Sequence, residues 1–317
     1  MTFIYEMLAR PDMTNRILLT ALFVALFGAV AFAQNETKAK PDATIPTPDI
    51  ANGKYGPYDA NTFDLWKPKS NKPTPLVVYI HGGGLIRGDK SMLSVKQLEQ
   101  MLKAGLTVMA INYRLTGEAV FPQHYMDCAR AIQYARYHAR EFNIDPKRVA
   151  ATGSSAGGMT SLWIGFHDDL ADPKNADPLL RESTRLRVMA VFSAQTTLMP
   201  DVVTKYIGPL VTQYKTYYDG RAFGVTPEVM RSAKGLELYR AASPMSYLTK
   251  DDPPVWAFYS IPNKPPSTPS EAIHHPGFGV ALKDEMDRLG IECKLRHKED
   301  GQNVNGDMVQ FLLKYLK

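Results

Sequence analysis

The chain has 317 residues, of which 44% are hydrophobic, 22% charged and 10% aromatic, the composition of a folded globular protein rather than a disordered one. Its 37 basic and 32 acidic residues leave a formal charge of +5, spread without a basic run of the kind that grips nucleic acid. Two cysteines exclude a disulfide-dense scaffold, and Cys128 and Cys293 fit no metal-ligand spacing.

Residues 17–33 form a nearly unbroken apolar run, preceded by Arg16 and followed by Gln34, Asn35 and Glu36. A positive flank, an apolar stretch and small residues at Ala31 and Ala33 have the pattern of a secretory signal peptide cleaved after Ala33. The competing expectation is a retained anchor, although the run is at the short end for crossing a bilayer and no basic stop-transfer cluster follows. Glu6 and Asp12 suit a signal n-region poorly, which makes Met13 a candidate start. Cleavage would remove Arg10, Arg16, Glu6 and Asp12 together, leave the charge at +5, and deliver a periplasmic or secreted protein with no stable membrane span. Residues 34–54, with Lys38, Lys40, Pro41, Pro46 and Pro48, read as a linker or loosely attached arm.

From Pro75 onward short apolar runs alternate with helical patterns. Leu76–Ile80 is β-branched and reads as a buried strand. Ser91–Ala104 has helical apolar spacing behind a serine cap, Thr107–Tyr113 is a second strand, and Tyr125–Phe142 is a long amphipathic helix stopped near Asp145-Pro146. Arg148–Thr152 is a strand running into Gly153, Ser155–Phe166 a helix, and Val188–Ala194 a strand. Val255–Ser260 and Ile291–His297 are later strands, separated by a helix over Val280–Leu289. The alternation predicts a mostly parallel sheet covered by helices on both faces. Residues 198–247 interrupt it with a tyrosine-rich, mixed helical stretch, expected to be a cap-like insertion. Cys128 falls on a helix and Cys293 on a late strand, so two buried free thiols are expected rather than a bond.

Two motifs carry chemistry. Gly153-Ser154-Ser155-Ala156-Gly157 has the form G-x-S-x-G between a predicted strand and a predicted helix, where glycines permit a sharp turn and leave the serine hydroxyl exposed. His81-Gly82-Gly83-Gly84 follows an earlier strand, and its glycines let backbone N–H groups approach a ligand. A phosphate loop is the alternative for it, disfavoured because no G-K-[ST] follows.

With these motifs the chain resembles the α/β-hydrolases, and within them the hormone-sensitive-lipase-type esterases that carry H-G-G-G. The resemblance extends over roughly 55–317, through FNIDPKRVAATGSSAGG (142–158), NYRL (112–115), FPQHYMDCARAIQYAR (121–136) and ASPMSYLTKDDPP (242–254). It implies the α/β-hydrolase fold, Ser155 as nucleophile, Gly83, Gly84 and the N–H of Ala156 as oxyanion hole, and His81 as structural support for its loop. It implies no metal and no organic cofactor. The family aspartate would follow the Val255–Ser260 strand, where this chain has Asn263, and the family histidine would lie in residues 298–305, which hold none. A serine hydroxyl without an adjacent base is a poor nucleophile. His297, at the end of its strand, and His274 and His275, in the loop after the would-be acid strand, are the candidate bases; His124, His138 and His167 lie on or beside predicted helices.

The leading expectation is therefore a secreted serine hydrolase cleaving small carboxylic esters through an acyl-serine, acting on a small-molecule partner and not on nucleic acid. The alternative is a hydrolase-fold binding protein whose Asp/His relay is lost. A serine peptidase shares the motif, but no additional domain that would select peptides is visible. Oligomeric state is not encoded in any pattern found.

Overall fold

The computed structural model describes residues 45–301 and 303–317. The expected signal peptide and most of the expected linker lie outside the described residues. Among those described, no helix is long and apolar enough to cross a membrane.

Eight strands form one sheet: β1 (Ile50–Lys54), β2 (Thr62–Trp66), β3 (Thr74–Ile80), β4 (Thr107–Ile111), β5 (Ile144–Ser154), β6 (Val188–Phe192), β7 (Val255–Tyr259) and β8 (Cys293–His297). Their order is β1-β2-β4-β3-β5-β6-β7-β8, with antiparallel pairing at β1–β2 and β2–β4 and parallel pairing from β4 to β8. β3 is buried at every position, as expected of a strand covered on both faces. Alternation divides it: Leu76, Val78 and Ile80 face one apolar layer, Val77 and Tyr79 the other.

The first layer is closed by α2 (Gln123–Tyr137), α3 (Ala156–Phe166) and α7 (Gly277–Leu289), the second by α1 (Val95–Lys103) and the terminal helix α8 (Val304–Leu316). Between β6 and β7 lie α4 (Pro200–Tyr206), a run of 3-10 turns, a single α-helical turn over Pro227–Met230 and α5 (Ala233–Ala242). Between β7 and α7 sits the five-residue helix α6 (Pro269–Ile273). Cys128 and Cys293 are buried and unpaired, and burial pushes both thiols up, Cys293 to about 12.

Several boundaries differ from the sequence-based expectation, each for a local reason. The expected linker over 34–54 gives way to structure before its end, because Ile50–Lys54 pairs with β2 as the sheet's edge. That edge is pinned where Trp66 Nε1–H donates to the Pro46 carbonyl at 2.7 Å and Lys67 N–H to Asp49 Oδ2 at 2.7 Å. Ser91 does not cap α1; it lies in a 3-10 turn capped by Asp89, and α1 starts after Ser94. The long helix expected to reach Phe142 stops at Tyr137, and a separate turn over Ala139–Phe142 ends at left-handed Asn143. β5 begins at Ile144, ahead of the expected Arg148, and carries Pro146 where its neighbour's register shifts. β6 ends at Phe192, two residues early, and α7 begins at Gly277, three before the expected Val280.

Candidate active site

The parallel register places Ile80 beside Gly153 and Ser154 beside Phe192, so the loop after β3 and the turn after β5 meet at the carboxyl ends of the strands. In open α/β sheets this is where ligands bind. The turn is strained. Ser155 has φ 52° and ψ −122°, and its N–H donates to the Phe192 carbonyl at 2.8 Å while its carbonyl accepts from Met159 N–H at 2.9 Å. Gly157 is required here, since a Cβ would collide with the Ile80 carbonyl oxygen. The result is a serine held above the sheet at the mouth of α3.

The glycine loop wraps the same spot. Gly83 and Gly84 adopt φ of 108° and 65°, a region that favours glycine. Their N–H groups donate no hydrogen bond among the described residues, and Ala156 opens α3, where a helix's first amides have no partner within it. Gly84 and Ala156 line a cavity of about 200 Å³ together with Ser155; Gly83 is the neighbouring residue in the loop. His81 is buried beneath, its ring stacked on Tyr113 at 4.4 Å, with the Tyr113 hydroxyl donating to the His81 carbonyl at 2.9 Å. Burial pushes its imidazole down, so it stays neutral.

The structure brings one of the three candidate histidines to the serine. His274 Nε2 lies 2.9 Å from Ser155 Oγ, and His274 Nδ1 lies 3.0 Å from the Ser270 carbonyl oxygen. A carbonyl only accepts, so Nδ1 carries the proton and Nε2 presents its lone pair to the serine hydroxyl. Burial pushes the His274 imidazole below its ordinary value, partly offset by the bond to Ser270. That keeps it neutral at pH 7.

The other two candidates are not at the serine. His275 is buried one residue on, and both its nitrogens serve the backbone: Nε2–H donates to the Lys264 carbonyl and Nδ1 accepts from Gly277 N–H, each at 2.9 Å. His297 ends β8, where its N–H donates to Asp300 Oδ2 at 2.7 Å and its side chain joins the start of a 3-10 turn. Asn263 is exposed and makes no hydrogen bond among the described residues, so it does not take over the orienting role of an acid. Sequence reasoning missed Ser270. The signal was present: Thr268-Pro269-Ser270-Glu271 has the T-x-x-E form of a helix start, which puts residues 270 and 274 one turn apart on one face.

The cavity walls are mostly apolar and come from several parts of the chain, Leu85 of the glycine loop and Ile273 of α6 among them. Phe121 and Tyr125 approach from the start of α2, Met159 from α3, and Leu198, Tyr217, Phe223 and Tyr239 from the helical stretch between β6 and β7. That stretch is tied down by the Tyr217 hydroxyl donating to the Leu198 carbonyl at 2.7 Å and by Phe121 N–H donating to the Ala222 carbonyl at 2.7 Å. Among the described residues no cluster of His, Cys, Asp and Glu could hold a metal ion.

The sheet order, the strained serine turn and the facing glycine loop define an α/β-hydrolase of the hormone-sensitive-lipase type. Residues 63–261 match the BD-FAE family model, and the chain belongs to that family. Among curated proteins, it is 26% identical to the esterase LipQ of Mycobacterium tuberculosis over 73% of this chain and 52% of that protein. Among solved structures, it is similar to a truncated carbohydrate esterase from gut microbiota, with a TM-score of 0.65 and 21% identity over 85% of this chain and 97% of that one. A further similar structure is an acetyl ester-xyloside bifunctional hydrolase from Caldicellulosiruptor lactoaceticus, with a TM-score of 0.63 and 19% identity over 86% and 95% of the two chains. The chain spans about half the length, or less, of curated relatives it matches.

Proposed function

We propose that this chain hydrolyses small carboxylic esters through an acyl-serine at Ser155, with His274 as the general acid and base. The observation that carries the reading is the 2.9 Å approach of His274 Nε2 to Ser155 Oγ, with the tautomer set by the Ser270 carbonyl. As Oγ attacks the acyl carbon, Nε2 takes its proton, and the carbonyl oxygen becomes an oxyanion. The N–H groups of Gly83, Gly84 and Ala156 hold that charge, each such donor worth roughly 3 kcal/mol in the transition state. The C–O bond then breaks and the alcohol leaves with the proton from Nε2. Water, deprotonated by His274, releases the acid and restores the serine.

Among the described residues no carboxylate hydrogen-bonds to His274, and that has a cost. Replacing the acid of a serine-protease triad by an amide costs about 10⁴ in rate, chiefly because the histidine takes the wrong tautomer. A backbone carbonyl accepts like a carboxylate, so the tautomer survives and only part of the imidazolium stabilisation is lost. The alternative reading, a binding protein with a lost Asp/His relay, rested on Asn263 in the acid's place and on the histidine-free terminal loop; a histidine at the serine from another loop weighs against it.

The cavity favours a short acyl group. At about 200 Å³ it is below the size of sites that take drug-sized ligands, and its walls are apolar and aromatic. Export is part of the same reading, supported by the apolar run 17–33 and its A-x-A end; N-terminal sequencing of the exported protein should begin at Gln34. The direct test is hydrolysis of p-nitrophenyl acetate, butyrate and octanoate by residues 34–317. Turnover is expected for the two shorter esters, lost by at least about 10³-fold in Ser155→Ala. Equal rates in the wild type and Ser155→Ala would refute the serine mechanism.

A further inference from the structure

We infer that Glu271, which lies outside the cavity, is a positioning residue whose clasp on Ser267 aims the Ser270 carbonyl at His274, the task a triad acid performs elsewhere. The inference rests on the assignment of Ser155 and His274 made above.

The only hydrogen-bond partners of the His274 ring among the described residues are Ser155 Oγ and the Ser270 carbonyl. That carbonyl cannot be re-aimed by a side-chain rotation; its direction follows from the backbone of α6. A five-residue helix is far too short to hold itself, because nucleation costs more than so few bonds return. Whatever fixes α6 therefore fixes the histidine.

Glu271 is at the centre of that fixing. Its Oε2 accepts from Ser267 N–H at 2.7 Å and from the Ser267 hydroxyl at 2.6 Å, while its own N–H donates to Thr268 Oγ1 at 3.1 Å. These bonds close the first turn, which Ala272 N–H continues to the Thr268 carbonyl at 3.0 Å. Hydrogen bonds from Ser267 hold the Glu271 carboxyl below its ordinary range, so the clasp is charge-assisted at neutral pH. The far end of α6 is held by the Gln195 side-chain amide on the Ile273 carbonyl, and the loop beyond by His275 bridging Lys264 and Gly277. Ser270 is also where the helix would accept its last backbone bond. No His274 N–H reaches it; the imidazole of the same residue does. The short helix is thus ended by the ring it orients.

The test compares Glu271→Ala, Glu271→Gln and Ser155→Ala in residues 34–317, with p-nitrophenyl butyrate as substrate and the His274 ring titration followed by NMR. In Glu271→Ala, kcat should fall roughly 10- to 100-fold, the scale set by misplacing a reacting group by about 1 Å. KM should stay within about twofold. The His274 titration, and with it the acid limb of the pH profile, should move up toward the ordinary imidazole value as the ring leaves its buried seat. Glu271→Gln keeps an acceptor oxygen for Ser267 and should recover most of the rate. A Glu271→Ala protein with unchanged kcat and an unchanged His274 titration overturns the inference, as does a loss that Gln does not restore. Failure of the underlying reading looks different: Ser155→Ala would then match the wild type, while the NMR titration still decides whether Glu271 positions the ring.

Discussion

Two protons decide how the candidate site works, the one on Ser155 Oγ and the one on His274 Nδ1. The second is spoken for by the Ser270 carbonyl, so replacing His274 removes the proposed base and its orientation together. His274→Ala should cost about 10³-fold or more in kcat/KM, while His297→Ala, at the end of β8, should leave it within about twofold; ester assays on the two variants check this. The pH dependence follows with a definite sign. The base must be neutral to act, and burial lowers the His274 value from the ordinary 6.5, so kcat/KM should rise to its plateau with a midpoint below 6.5. A midpoint at or above 6.5 would show that a charged partner absent from this arrangement stabilises the imidazolium.

At the scale of elements, the site depends on three connections that end at the same edge of the sheet: β3 to the glycine loop, β5 to α3, and β7 to α6. The first two were legible because each carries an unbroken motif beside a clear strand. The third was not, since α6 is five residues long and its role lies in a backbone carbonyl, which no residue type advertises. The start of the sheet was also hidden. Thr62–Trp66 and Ile50–Lys54 are short antiparallel strands, the second at the sheet's edge, and the prolines before Ile50 read as linker. Their contribution is measurable. A chain beginning at residue 55 would lose the β1–β2 pairing and the Pro46 and Asp49 bonds to Trp66 and Lys67, exposing the edge of β2. Each net hydrogen bond is worth about 1 kcal/mol, so residues 55–317 should melt several degrees below 45–317, given about 2–4 °C per kcal/mol at this size. Equal melting temperatures would show that β1 adds nothing to the fold.

For the molecule as a whole, buried histidines set the response to acid. His81, His124, His274 and His275 are all pushed down by burial, His124 to about 4. In the unfolded chain each would titrate near 6.5, so between those values the unfolded state binds protons that the folded state refuses. Stability must then fall as pH drops from about 6.5 toward 4, with His124 alone able to contribute up to about 3 kcal/mol. Carboxylates act later: Asp89, held to about 2 by hydrogen bonds from Ser91 and Asn112, withdraws its contribution only below its ordinary 3.8. Urea midpoints at pH 7 and pH 5 should differ, and His124→Gln should narrow the gap. A midpoint flat across that range would mean that the folded state takes up protons at these histidines as readily as the unfolded chain.

What the sequence determined by itself was the set of features written in consecutive residues: apolar runs that make buried strands, the G-x-S-x-G turn, the glycine loop, and a mostly parallel sheet covered on both faces. Each is local, so its physical cause sits within a few positions of its effect. The tertiary structure alone decided which histidine meets Ser155, because Ser155 and His274 are separated by 119 positions and by the whole helical stretch between β6 and β7. It also decided that the orienting group is a carbonyl. Partners of that kind are chosen by where β7 delivers the chain and by how α6 is clasped, and those are properties of the folded backbone.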